Sequence, residues 1–347
     1  MKVGLFDHIE MSDRALATTY DERLTFIQAA DEAGFYCLHV AEHHCTPLNT
    51  IPVPGVFLGA VARLTRRIRI GPMVYLLPLY SPLRLAEEIC MLDHLSRGRM
   101  EVGVGRGVSP FEMKFHKVDH DQSREIFIDA LGCLEAALGQ ESFSYAGPHY
   151  SYNNVPMPLQ PLQVPTPAFW YGSSNEVGSV FAGERGMHFA SNGATVSAKN
   201  NIAVYKDALS KRGGPARYKA EFSGGAAIGI ARQIVVADTD EEAIRIAKPA
   251  AEYHVSMLSY LSRTQNSNEF TARLKIPGGA TFEDSVRQGM IIAGCPKTVV
   301  AELRRQTGEL GINYLLAYMF FGTMSLSDAM RSLALFTTEV MPEIADI

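Results

Sequence analysis

Three short stretches collect the side chains best suited to chemistry. Glu42, His43 and His44 directly follow the apolar run 37–41. An imidazole placed there can take or give a proton near neutral pH. A metal reading needs a third ligand, and adjacent histidines on an extended chain rarely point at one ion, so no metal centre is expected. The rival reading is a structural pair satisfied by hydrogen bonds. Gly103, Val104, Gly105, Arg106 and Gly107 place an arginine between glycines at the end of the run 100–104. The glycines let backbone approach a ligand, and a guanidinium forks onto phosphate oxygens. Val108 stands where the dinucleotide fingerprint would need its third glycine, so this is not a Rossmann turn. A tight turn with a solvated arginine is the alternative. Gly172, Ser173 and Ser174 precede a helical stretch, where amide and hydroxyl groups hold anions or simply cap the helix. Arg124 lies near the start of another helix and could face the same pocket.

These residues need a scaffold that brings strand ends together. Apolar β-like runs at 3–6, 37–41, 68–75, 100–104, 168–171, 188–191, 226–236 and 314–319 alternate with helical patterns. The helices are expected near 21–33, 56–64, 83–95, 123–138, 176–184, 198–210, 240–261 and 325–340. Repeated β-then-α units require a parallel sheet with right-handed crossovers, and eight of them suit a closed (β/α)₈ TIM barrel. All three polar stretches then lie at the C-terminal strand ends, the face where such barrels carry their sites. Two stretches break the rhythm. The proline-rich span 139–167 reads as a long extended connection, and the polar span 262–287 reads as a lid or a tolerated surface insertion. The whole chain, 1–347, is expected to form one domain.

Composition narrows the classes. The chain has 347 residues, with 32 Lys plus Arg against 37 Asp plus Glu, a net charge of -5. Mild acidity without a basic stripe argues against nucleic acid as a partner. No apolar run approaches the ~18 residues of a membrane span, and Asp7 interrupts any signal-peptide core. Five irregularly spaced cysteines are no disulfide framework. A reduced, cytoplasmic enzyme is expected. Signatures of serine hydrolases, P-loop proteins and zinc proteases are missing. A barrel glycosidase stays formally open, although a single Trp is sparse for a sugar cleft.

The segment 76–107 contains Leu-Leu-Pro, Ser-Pro-Leu-Arg-Leu-Ala-Glu-Glu, Leu-Asp-His-Leu-Ser-Arg-Gly-Arg and Gly-Val-Gly-Arg-Gly. With Ala41-Glu42-His43-His44, Gly294-Cys295-Pro296 and Gly311-Ile312-Asn313, it resembles the luciferase-like flavin monooxygenase family along nearly the whole chain. The resemblance implies a TIM barrel with a long insertion, here 262–287, before the last strand. It implies reduced FMN (FMNH2) at the C-terminal mouth, or in one branch the deazaflavin F420. By the same resemblance His43 is the catalytic acid/base and touches substrate. Arg106 and Arg124 hold the FMN phosphate, with Val108, Tyr171, Gly172, Ser173 and Ser174 lining the cofactor site. Met73 and Val74 back the flavin ring across a non-prolyl cis peptide. Phe111 and Phe115 are expected to line an apolar substrate pocket, with core packing as the alternative. Ser173 replaces an acidic residue of the luciferase alpha subunit, and Gly105 replaces its reactive cysteine, which puts light emission on aldehydes in doubt.

The expected activity is a two-component monooxygenase that activates O2 to oxygenate a small organic substrate. A separate NAD(P)H:flavin reductase would supply FMNH2, since no NAD fingerprint is present. A homodimer is implied, with the third helix around Glu87 at its interface. An F420-dependent hydride-transfer enzyme and a non-catalytic flavin-binding protein are the alternatives.

Overall fold

The computed structural model describes residues 1–266 and 281–347. Its main sheet is parallel and runs in the order β3-β2-β1-β12-β10-β9-β8-β5-β4. The strands are β1 (Lys2–Asp7), β2 (Cys37–Val40), β3 (Arg69–Pro72), β4 (Tyr75–Leu76), β5 (Glu101–Gly105), β8 (Ala168–Gly172), β9 (His188–Ser191), β10 (Ile228–Val236) and β12 (Tyr314–Tyr318). β3 and β4 are two halves of one stave, parted at the cis Met73–Val74 peptide. β3 pairs with β2 and β4 pairs with β5, while an Ile70–Met100 bridge closes the seam. Nine strands thus make eight staves, the expected barrel.

Helices pack outside this ring because their apolar stripes have only the sheet to bury against. On α1 (Leu16–Ala33), Phe26, Ile27 and Ala30 are buried, and Gly34 ends the helix at φ 87°. That left-handed conformation suits glycine. Inside the barrel, toward the N-terminal strand ends, sits a plug of large side chains. Trp170 Nε1 donates to Glu101 Oε2 at 2.7 Å, and His39 Nε2 meets the Tyr314 hydroxyl at 2.9 Å. Arg69 and Lys219 both pair with the buried Glu101. Burial opposes the Glu101 charge, but these two cations outweigh it and hold its pKa down to about 2. The floor is therefore filled and its buried carboxylate paired, which leaves the other end of the barrel for a ligand.

Several sequence expectations need correction. The third strand is not continuous over 68–75, because the cis peptide breaks its pairing. The connection 139–167 is not merely extended. Phe143 and Tyr145 alternate with polar residues, and Tyr145 pairs with Tyr152, so β6 (Ser142–Ala146) and β7 (Ser151–Pro156) form an antiparallel hairpin. The helix expected over 240–261 stops at Leu258 and is followed by a short one, Tyr260–Thr264. An additional strand, β11 (Ile291–Gly294), pairs with the outer half of β10, and a helix Pro296–Leu310 follows it. The insertion read as a lid falls partly on residues 267–280, which lie outside the described residues. Among the described residues no helix is long and apolar enough to cross a membrane.

Candidate active site at the barrel mouth

The end of β2 delivers Glu42, His43 and His44. Both histidines are half-buried, and each has its own carboxylate. His43 Nδ1 meets Glu112 Oε1 at 3.1 Å, and His44 Nε2 meets Glu42 Oε1 at 2.8 Å. The other Glu112 oxygen accepts the His44 backbone N–H at 3.0 Å. Glu42 Oε2 accepts from Leu76 N–H and the Tyr80 hydroxyl. Glu112 is raised to this position by a short helix, Pro110–Phe115, whose N-cap Ser109 accepts the Glu112 N–H. A Ser-x-x-Glu spacing commonly closes a capping box. Here the glutamate side chain turns to the histidines instead.

The electrostatics follow from these contacts. Burial disfavours the His43 imidazolium, but the Glu112 charge and hydrogen bond, helped by Glu42, outweigh it and raise the pKa. Burial pushes Glu112 up, while His43 and the bonds from His43 and His44 pull it below its ordinary value. Glu42 goes the other way: burial dominates and its pKa rises. The Glu112 contact thus favours the charged form of His43 and fixes its Nδ1 side, while no partner among the described residues takes its Nε2.

A second group of residues lies at the ends of β5 and β8. Arg106 is half-buried and Arg124 exposed, and neither has a hydrogen-bond or ion-pair partner among the described residues. Both guanidiniums act on the Tyr171 phenol; burial raises its pKa, and the two cations oppose that rise. Beside Tyr171, Asn175 caps the helix Glu176–Glu184 by accepting the Gly178 N–H. The Gly178 N–H is spent on this cap, while the Glu176 and Val177 N–H groups have no partner among the described residues. Exposed Ser174 precedes that cap, and Gly172 is exposed. Ser173 differs from expectation, because its buried hydroxyl is spent within the turn. It donates to the Asn175 carbonyl and accepts the Asn175 N–H.

The cis peptide links the two groups. Met73 Sδ would lie 3.6 Å from a Cβ on Gly172, and a Cβ on Gly105 would overlap the Val74 side chain. Met73 and Val74 therefore lie against Gly172 and Gly105, at the strand ends that lead to Ser174 and Arg106. Val108 is exposed on the turn after β5. Phe111 is buried against Tyr260 and Leu261, while Phe115 is 40% exposed and joins no apolar cluster. Sequence reasoning missed Glu112, and also His8 and Glu10 at the end of β1. Glu112 had its Ser-x-x-Glu signal, and His8 and Glu10 would have emerged had strand ends been read from β1 onward. Among the described residues no cluster of His, Cys, Asp or Glu is placed to hold a metal ion.

Comparison with known proteins agrees with this geometry. Residues 1–314 match the model of the luciferase-like monooxygenases. The uncharacterised protein y4wF of Sinorhizobium fredii is 34% identical over 98% of this chain and 96% of its own length. The 2,5-diketocamphane 1,2-monooxygenase 1 of Pseudomonas putida is 26% identical over 90% of each chain. Among solved structures, the oxygenating constituent of 3,6-diketocamphane monooxygenase from Pseudomonas putida, a type II Baeyer-Villiger monooxygenase in complex with FMN, superposes with a TM-score of 0.83. It is 23% identical and covers 99% of this chain and 98% of its own. With the matching barrel and a family model that spans most of its length, this chain belongs to the luciferase-like monooxygenases.

Proposed function

We propose that the protein is the oxygenase component of a two-component system that uses FMNH2 and O2 to oxygenate a small organic substrate. The observation that carries this reading is the pair of guanidiniums, Arg106 and Arg124, that have no partner among the described residues and act on Tyr171 beside the helix start at Glu176. Two free cations, a hydroxyl and unused amides suit the dianionic phosphate of FMN. Relatives named as monooxygenases, including one structure with FMN, support the choice of flavin.

The chain's residues then divide the work. Arg106 and Arg124 anchor the phosphate, with Ser174, Gly172 and the helix start supplying hydrogen bonds. The Ser173 side chain shapes this loop and leaves phosphate contact to its neighbours. Met73 and Val74 back the ring system, and the glycines of β5 let it approach. When bound, the reduced flavin supplies the electrons that activate O2. His43 holds a proton at Nε2 and delivers it toward the reacting centre, while Glu112 fixes its ring and keeps it charged. Glu42 and His44 brace the turn. Buried walls around His43 exclude water, which would otherwise divert the oxidation to peroxide.

Two partners complete the reading. A flavin reductase supplies FMNH2. A second copy covers the apolar face of Pro54–Leu64 and Pro82–Ser96, where Val56 is 77% and Met91 56% exposed around Glu87. Sedimentation should then give the mass of two chains. Anaerobic ultrafiltration with FMNH2 or reduced F420 tests the cofactor. FMNH2 should be retained about one per chain; retention of F420 alone would replace the reading with hydride transfer.

A further inference from the structure

The geometry points to His254, backed by Glu10 and linked to His43 through His8, as a second donor in the oxygenation site, serving a carbonyl oxygen of the substrate. This rests on the functional reading above, which uses His43 alone.

Three imidazoles cluster around His8, from three different parts of the chain. His8 follows β1. Its ring stacks on His43 with centroids 5.6 Å apart and planes 18° apart, and also meets His254 at 5.2 Å and 57°. His254 comes from the last turns of the helix Asp240–Leu258. The two outer rings are built alike. His254 Nδ1 meets Glu10 Oε1 at 2.5 Å, as His43 Nδ1 meets Glu112. Glu10 is itself fixed, since its other oxygen accepts the Gly322 N–H at 3.1 Å. Both carboxylates are 2% exposed. The imidazole side chains of His43 and His254 are 17% and 12% exposed, so neither ring is sealed in the core. No partner among the described residues takes the Nε2 of either ring.

A purely structural pair would not need two rings with free Nε2 atoms on one opening. A protonated imidazole with a carboxylate behind its Nδ1 donates from Nε2, and such a donor suits a carbonyl oxygen. A carboxylate stands behind each of these two rings, Glu10 behind His254 and Glu112 behind His43, so the site suits a neutral carbonyl better than a substrate carboxylate. His8 stays neutral between them: burial, and then His254 and His43, hold its pKa well below the ordinary value. Hydrogen bonds of this kind strengthen as charge gathers on the carbonyl oxygen.

The test uses the FMN-loaded full chain with a flavin reductase. Its probes are cyclic ketones, each matched to the exocyclic-methylene hydrocarbon of the same skeleton. Wild type should oxygenate the ketones in preference. His254→Ala should raise KM for ketones at least tenfold and leave the hydrocarbons and FMN affinity within twofold. His254→Gln, which keeps a donor near the Nε2 position, should recover part of the loss. Glu10→Gln should follow His254→Ala in milder form, and circular dichroism identifies any variant that does not fold. Equal shifts on both members of each pair would overturn the assignment, as would hydrocarbon preference in wild type or no ketone turnover by protein that binds FMN. Failure to bind FMN at all would instead sink the functional reading, and is scored separately.

Discussion

Replacing Arg106 with Ala should weaken FMN far more than riboflavin. Arg106 is half-buried and without a partner among the described residues, so its removal breaks no internal pair. What is lost is a charge-assisted contact to phosphate, worth about 1.5–3 kcal/mol. At about 1.4 kcal/mol per tenfold, Kd for FMN should rise roughly 10- to 150-fold. Arg124 is exposed, and screening reduces its share; Arg124→Ala should cost about 1 kcal/mol or less. Riboflavin has the same ring and no phosphate, so its Kd should change less than about twofold in either variant. Quenching of flavin fluorescence on binding measures all the constants. Raising the salt should narrow the gap between wild type and Arg124→Ala more than that for Arg106→Ala. Equal weakening of FMN and riboflavin by Arg106→Ala would refute the phosphate role and show that the arginine shapes the pocket instead.

Other consequences concern the proton and the floor of the barrel. His43→Ala should lower kcat about 10²- to 10⁴-fold with FMN affinity nearly unchanged, as steady-state assays with FMN titrations would show. Glu112→Gln removes the charge that holds the His43 pKa up, so the limb of the kcat–pH profile that reports His43 should move to lower pH. An unmoved limb would mean another group titrates. Glu101→Gln should destabilise the protein by about 3–5 kcal/mol, because Arg69 and Lys219 lose the buried charge they share. Glu101 has a folded pKa near 2, below its ordinary value of 4.5, so its stabilisation is full above 4.5 and lost as pH falls toward 2. Thermal melts across that window should show a shallower loss in Glu101→Gln than in wild type.

Much of the site was legible because a parallel barrel gathers strand ends. Knowing that rule, the polar residues after β2, β5 and β8 could be assigned to one mouth without coordinates, and they are found there. The cis peptide was legible only through resemblance, since nothing in the local Pro-Met-Val-Tyr sequence demands it. Glu112 was hidden because a glutamate three residues after a serine reads as an ordinary helix start. Ser173 looked free because a hydroxyl beside a helix start can face a ligand or turn inward, and only tertiary geometry decides. His254 gave no signal at all. It lies 244 residues from Glu10, on a helix whose polar face reads as solvated. The strand β11 is four residues long and was submerged in the polar insertion, while the hairpin β6–β7 was masked by prolines around it.

The central claim is that this chain binds reduced FMN and controls its reaction with O2. The direct measurement is anaerobic titration with FMNH2 followed by rapid mixing with O2, with absorbance recorded over time. We predict stoichiometric binding, then a long-lived spectrum distinct from both reduced and oxidised FMN, shortened in His43→Ala. Immediate return to oxidised FMN and peroxide, at the rate of free FMNH2 and unaltered by substrate, would contradict it.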